Sequence, residues 1–123
     1  MAYDRAFGDW VREHLAALGP IEIKPMFGAA SVYADGRIFA LLDDGVIWLK
    51  ADEDNAPALI DAGGRQFTFA AKDGGTMEMA YWSLPEPAVD DAEEAVRWAR
   101  SSIEAAARKA AKKKPRKPRT SAP

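Results

Sequence analysis

Eight cations fall between residues 108 and 119, namely Arg108, Lys109, Lys112, Lys113, Lys114, Arg116, Lys117 and Arg119, with no acid among them. Such density is the chemistry of polyanion contact. Extended cations can follow a phosphate backbone, and each neutralised phosphate contributes about 0.9 to the slope of log affinity against log salt on duplex DNA, whatever the base sequence. Pro115 and Pro118 stop a helix from continuing through the run, so the expected state beyond about Lys113 is a disordered, extended arm. DNA or RNA is the candidate partner on this reading. The same composition also suits a solvated spacer that screens an acidic body, and the residues alone leave both readings open.

Other residues able to do chemistry are better explained by structure. Asp52-Glu53-Asp54 and Asp90-Asp91 with Glu93-Glu94 carry enough oxygen for a hard cation. Both stand at helix starts, where acids oppose the positive end of the helix dipole, and neither has EF-hand spacing. His14, the one histidine, lies on or beside the apolar stripe of the first helix, where a packed ring is the ordinary outcome. Ser31, Ser83, Ser101 and Thr76 lack a nucleophile elbow, no phosphate-binding glycine loop ends in Lys-Ser or Lys-Thr, and there is no cysteine. The expectation is a non-enzymatic protein with no catalytic residue, no metal site and no cofactor. Trp48 and Trp82 are candidates for base stacking, but core packing suits them better.

The elements that must position these residues belong to one domain. A chain of 123 residues closes one hydrophobic core. The formal net charge of −2 hides a segregation, because the remaining nine of 17 cations stand against all 19 acids. The reading is an acidic folded body over residues 1–107 and a basic tail over 108–123. No apolar run approaches the roughly 18 to 20 residues that span a bilayer, and the start of the chain lacks a signal-peptide pattern, so a cytoplasmic protein with no membrane contact is expected.

Tyr3, Phe7, Trp10, Val11, His14, Leu15 and Leu18 recur at helical spacing, and Gly19-Pro20 ends that helix. Extended segments follow at Ile21 to Lys24, Ala30 to Ala34, Arg37 to Leu42 and Val46 to Ala51, punctuated by Gly28, Asp35-Gly36 and Asp43-Asp44-Gly45, as in an antiparallel meander. Asp52 caps a short helix closed by Gly63-Gly64. Strands at Gln66 to Phe69 and Thr76 to Trp82 flank a turn at residues 72–75, with Met77, Met79 and Tyr81 on one face. Leu84-Pro85-Glu86-Pro87 breaks the second strand. A last helix begins near Asp90 or Asp91 with capping-box-like spacing to Glu94, has an inner stripe of Val96, Ala99, Ile103, Ala106 and Ala110, and offers the pairs Glu93–Arg97 and Glu104–Arg108.

This pattern predicts an α+β fold, a two-layer antiparallel sheet with helices against one face. Alternation in the middle strands is imperfect, since Ile38 to Leu42 and Val46 to Leu49 are apolar on both faces. A second covering layer is expected, most simply another copy of the chain, hence a homodimer.

Several blocks in order resemble the N-terminal domain of the TfoX/Sxy family, a group linked to regulation of natural competence. They are Met26-Phe27-Gly28, then Gly36-Arg37-Ile38-Phe39-Ala40-Leu41, then Leu49-Lys50-Ala51-Asp52, then Met79-Ala80-Tyr81-Trp82-Ser83-Leu84-Pro85-Glu86 leading into Asp90-Asp91 and Trp98-Ala99-Arg100. The resemblance runs from Trp10 to about Ala107. It implies an α-β-β-β-α-β-β-α order similar to secretion chaperones, a regulatory role related to competence or transcription, and a regulatory protein partner. Ala29 stands where many relatives have a second glycine, and the basic arm stands where two-domain regulators continue into a helical domain. Met26, Phe27, Gly28, Gly36, Lys50, Tyr81, Trp82, Leu84 and Pro85 are the motif residues, expected to act in structure: Gly28 through its backbone freedom, and Met26 and Phe27 by core packing. A homodimeric protein-binding module without nucleic-acid contact is the alternative.

Overall fold

The computed structural model describes residues 4–26, 28–70 and 76–113. Helix α1 (Arg5–His14) is started by Asp4, whose Oδ1 accepts from the Ala6 amide at 3.0 Å. Its last turn tightens into a 3₁₀ segment, Ala16–Leu18, before Gly19 turns out with φ +98°. Four strands follow as a meander: β1 (Glu22–Met26), β2 (Ala29–Ala34), β3 (Arg37–Asp43) and β4 (Val46–Lys50). Helix α2 (Ala56–Asp61) separates them from β5 (Gln66–Ala70) and β6 (Thr76–Ser83). A single turn, α3 (Glu86–Val89), leads into the long α4 (Ala92–Lys113). The α+β class and the two-layer plan stand. Four strands precede α2, as the four extended segments of the sequence have it and one more than the order that the resemblance implies, and Glu86–Val89 is helical where the prolines had suggested only a break.

The sheet is antiparallel throughout, in the order β1-β2-β3-β4-β6-β5. The two Asp-Gly hairpins form as their residues dictate. Asp35 and Gly36 take φ of +53° and +76°, and Asp44 and Gly45 take +55° and +73°. Helix α4 lies across β3 and β4, and its small residues Ala95, Ala99, Ser102 and Ala106 are buried against the sheet. The main core lies in this layer, built from Val11, Leu15, Val32, Phe39, Leu42, Leu49 and Leu59.

The imperfect alternation has a local cause. Val32 pairs with Ala40 while Tyr33 pairs with Ile38, so Phe39 is the extra residue of a β-bulge. Across the bulge the face of each side chain changes parity. Phe39, Ala40 and Leu42 enter the main core, whereas Ile38 and Leu41 face away from the helices. There they join Val46, Trp48, Phe67, Met79 and Tyr81 in a second apolar cluster. Leu41, Trp48 and Tyr81 are only 6–8% exposed in the single chain, so the apolar pattern behind the homodimer expectation has an intramolecular account.

Candidate functional site

Arg108, the first cation of the basic run, sits on α4 within reach of the corner between β4 and α2. Its Nε donates to Asp52 Oδ2 at 2.7 Å and its Nη2 to Asp52 Oδ1 at 2.9 Å, a bidentate fork, and Nε also lies 3.2 Å from Asp54 Oδ2. These hydrogen bonds hold the Asp52 carboxyl at a pKa of about 2. Asp52 Oδ1 also accepts from the amides of Asp54 and Asn55, and Asn55 Oδ1 accepts from the Asp52 amide at 2.7 Å. The Asn55 side-chain nitrogen donates to Lys50 O and lies within 3.4 Å of Ser101 O and Oγ, so the corner is tied to α4 at two levels. The expected Glu104–Arg108 ion pair is therefore replaced by a contact 56 residues away in the chain. Arg97 likewise pairs with Glu94, at 3.0 Å, rather than with Glu93. Each difference has the same reason: a helix-surface pair contributes only a few tenths of a kcal/mol and yields to a better placed acid.

Lys109 is exposed on α4, and Lys112 and Lys113 extend the same helix. Lys114, Arg116, Lys117 and Arg119, together with the expected disorder of the arm, lie outside the described residues. The acidic groups at the helix starts act as caps. Asp91 Oδ1 accepts from the amides of Glu93 and Glu94 at the start of α4. Among the described residues no group of three or more His, Cys, Asp or Glu side chains is placed to hold a metal ion. His14 stacks on Trp10 with ring centroids 4.4 Å apart, and its Nε2 donates to Ala88 O at 2.8 Å, joining α1 to α3.

The helix-free face of the sheet concentrates cations over aromatic rings. Lys24 Nζ lies 5.0 Å from the Tyr33 ring centroid, Lys50 Nζ 5.1 Å from that of Tyr81, and the Arg65 guanidinium carbon 5.4 Å from that of Trp48. Trp48 also packs against Phe67, with centroids 5.0 Å apart, and its Nε1 donates to Asp43 O. Burial, and after it the neighbouring Tyr33 phenol, raises the pKa of the Tyr81 hydroxyl. Past Arg65 a cleft of about 490 Å³ opens on the helical side, between the β3–β4 turn, the end of β6 and α3, lined by Trp10, Val46, Arg65, Leu84, Glu86 and Val89 among others. No sequence signal marks the helix-free face as more than apolar, because Arg65 precedes β5 in a loop and meets Trp48 only through the β4–β6–β5 order.

The motif residues divide by role. Met26 ends β1, and its side chain and Phe27 lie outside the described residues, so their core packing is not placed. Gly28 turns between β1 and β2 with φ +82°, and Gly36 sits in the β2–β3 hairpin. Lys50 and Tyr81 are cross-strand partners on the helix-free face, while Trp82 points into the main core. Leu84 is buried, its amide donating to Ile47 O, and Pro85 precedes the first residue of α3.

Comparison with known proteins bears on this arrangement. The family model of the TfoX N-terminal domain matches residues 13–106. Protein Sxy of Escherichia coli (strain K12) is 29% identical over 106 residues, covering 86% of this chain and 49% of that protein. The chain thus spans about half the length of the curated relative that it matches.

Proposed function

As a member of the TfoX N-terminal domain family, the chain is one for which we propose a non-enzymatic regulatory role, related to competence or transcription, in which the folded body meets a protein partner and the basic C-terminal run contacts nucleic acid without base specificity. The observation that carries the nucleic-acid half is the acid-free run of cations that starts beyond Arg108. Arg108 itself is committed to Asp52 and belongs to the body. Contact with phosphates therefore starts at Lys109, where the helix leaves the acidic corner. The role is cytoplasmic on this reading, and among the described residues no helix is long and apolar enough to cross a membrane.

The test is duplex-DNA binding across a salt series, comparing the full chain with a version ending at Ala111. That end point keeps Arg108 and its contact with Asp52, and removes Lys112, Lys113, Lys114, Arg116, Lys117 and Arg119. The expected result is affinity that falls with salt, with a log–log slope of up to roughly −6 if all the cations from Lys109 onward meet phosphates, and loss of most of that binding on truncation. Equal binding by both versions, or none by either at low salt, would remove the nucleic-acid half and leave the protein-binding module.

A further inference from the structure

We propose that the helix-free face of the sheet is a docking surface for an acidic, amphipathic segment of another protein, one that presents carboxylates alternating with apolar side chains. This rests on the reading that the folded body meets a protein partner, for which it names the surface and the partner's chemistry, and it is independent of the basic arm.

The face has the anatomy of a protein interface, an apolar centre with a charged rim. Its centre is the half-buried Ile38, Val46, Phe67 and Met79, laid over the buried Leu41, Trp48 and Tyr81. Its rim carries Lys24, Lys50 and Arg65, each laid over a ring. Among the described residues two acids share the face, Glu22 opposite Tyr33 on the edge strand and Asp43 opposite Val46 at the β3–β4 turn, and both stand at its margins. The other layer has the opposite character. Asp52, Glu53, Asp54 and Asp61 surround α2, and Asp90, Asp91, Glu93 and Glu94 open α4. A chain that is acidic as a whole thus keeps cations at the rim of its sheet face, which selects an anionic partner by charge complementarity.

Three occupants have this complementarity or this shape, and the geometry separates them. A nucleic acid would read the face by stacking bases on rings, but Trp48 and Tyr81 are 8% and 6% exposed, with cations over their faces. A second copy bound face to face would bring Lys24, Lys50 and Arg65 of both chains into one interface, where like charges cost affinity. An acidic amphipathic segment avoids both costs. Its carboxylates pair with the exposed Lys24 and Arg65 where they stand, and its apolar side chains cover the half-buried Ile38, Val46 and Met79.

The experiment is an NMR titration of the isotope-labelled full chain with three probes of equal length, each about 12 residues: a peptide alternating Glu or Asp with Leu and Phe, the same peptide with Lys for every acid, and an oligothymidylate. The expected result is saturable shifts confined to the sheet face with the acidic peptide, a dissociation constant on the order of 10–100 µM, and a roughly tenfold weakening in Arg65→Glu. Lys24→Glu, on the exposed edge strand, provides a second variant should Arg65→Glu fold poorly. Absence of shifts up to about 1 mM, shifts on the helical layer, or equal response to the lysine peptide would overturn the proposal. So would a sheet face that responds to oligothymidylate in place of the acidic peptide, or that changes with protein concentration alone, the latter indicating a second copy. Loss of DNA binding on truncation at Ala111 reads the arm and leaves this outcome untouched.

Discussion

Asp52 does two jobs with one carboxylate: it caps the turn into α2 through the amides of Asp54 and Asn55, and it holds the Arg108 fork. The two can be separated by substitution. Asp52→Asn keeps an oxygen for the amides and removes the ionic half, while Asp52→Ala removes both and should cost about 1 to 2 kcal/mol, mostly the cap. The pH dependence has a definite sign. Because the folded carboxyl titrates at about 2, below its ordinary 3.8, the unfolded chain binds more protons in that interval and stability rises with pH through it. The contribution is fully present above the unfolded value and is lost as pH falls through about 2. Thermal unfolding followed between about pH 2 and 5 should show a shallower acid limb in Asp52→Asn than in the parent. Superimposable limbs would mean that the fork adds nothing in solution.

At the level of elements, Gly64 is where α2 is packed against the sheet. A Cβ there would meet the backbone oxygens of Leu59 at 2.9 Å and Ser83 at 3.0 Å, and neither can retreat without moving α2 or β6. Gly64→Ala should therefore destabilise by about 1 to 3 kcal/mol, as overpacking does. Gly36→Ala has open space around the new methyl and costs about 1 kcal/mol, through its positive φ alone. Denaturant melts of the two variants decide the order, and a Gly64→Ala at parental stability would sink the account of this corner. Elements of this kind were largely legible in the sequence. Asp-Gly at 35–36 set a hairpin and Asp91 set the start of α4, because turns and caps are local chemistry. The Phe39 bulge was not legible, since hydrophobicity alone does not show which residue of Ile38 to Leu42 is left unpaired. Nor was the fork from Arg108 to Asp52, since helical spacing offered Glu104 as a nearer partner and nothing local named an acid on the far side of the fold. The cation-covered rings were hidden for the same reason, each pairing depending on strand order.

For the molecule as a whole, the separation of charge between its two layers determines how self-association should respond to salt. The expectation of a homodimer rested on residues apolar on both sheet faces, and those on the second face pack with Phe67, Met79 and Tyr81 of the same chain, beside Lys24, Lys50 and Arg65. If two copies nevertheless meet through this face, their facing cations repel, and the repulsion is screened as ionic strength rises. At about 0.05 M salt the Debye length exceeds 10 Å and at about 0.5 M it is well below, so a face-to-face dimer should strengthen with salt. An acidic partner on the same face should instead be released by salt. Sedimentation velocity of the full chain at tens of micromolar, a range that populates many weak dimers, should therefore show monomer at low salt. A dimer already complete at low salt and loosened by added salt would mean that acids of one copy meet cations of the other. The covering layer would then be supplied by the acidic helical side of a neighbour, and the sheet face would have its partner in a second chain of the same sequence.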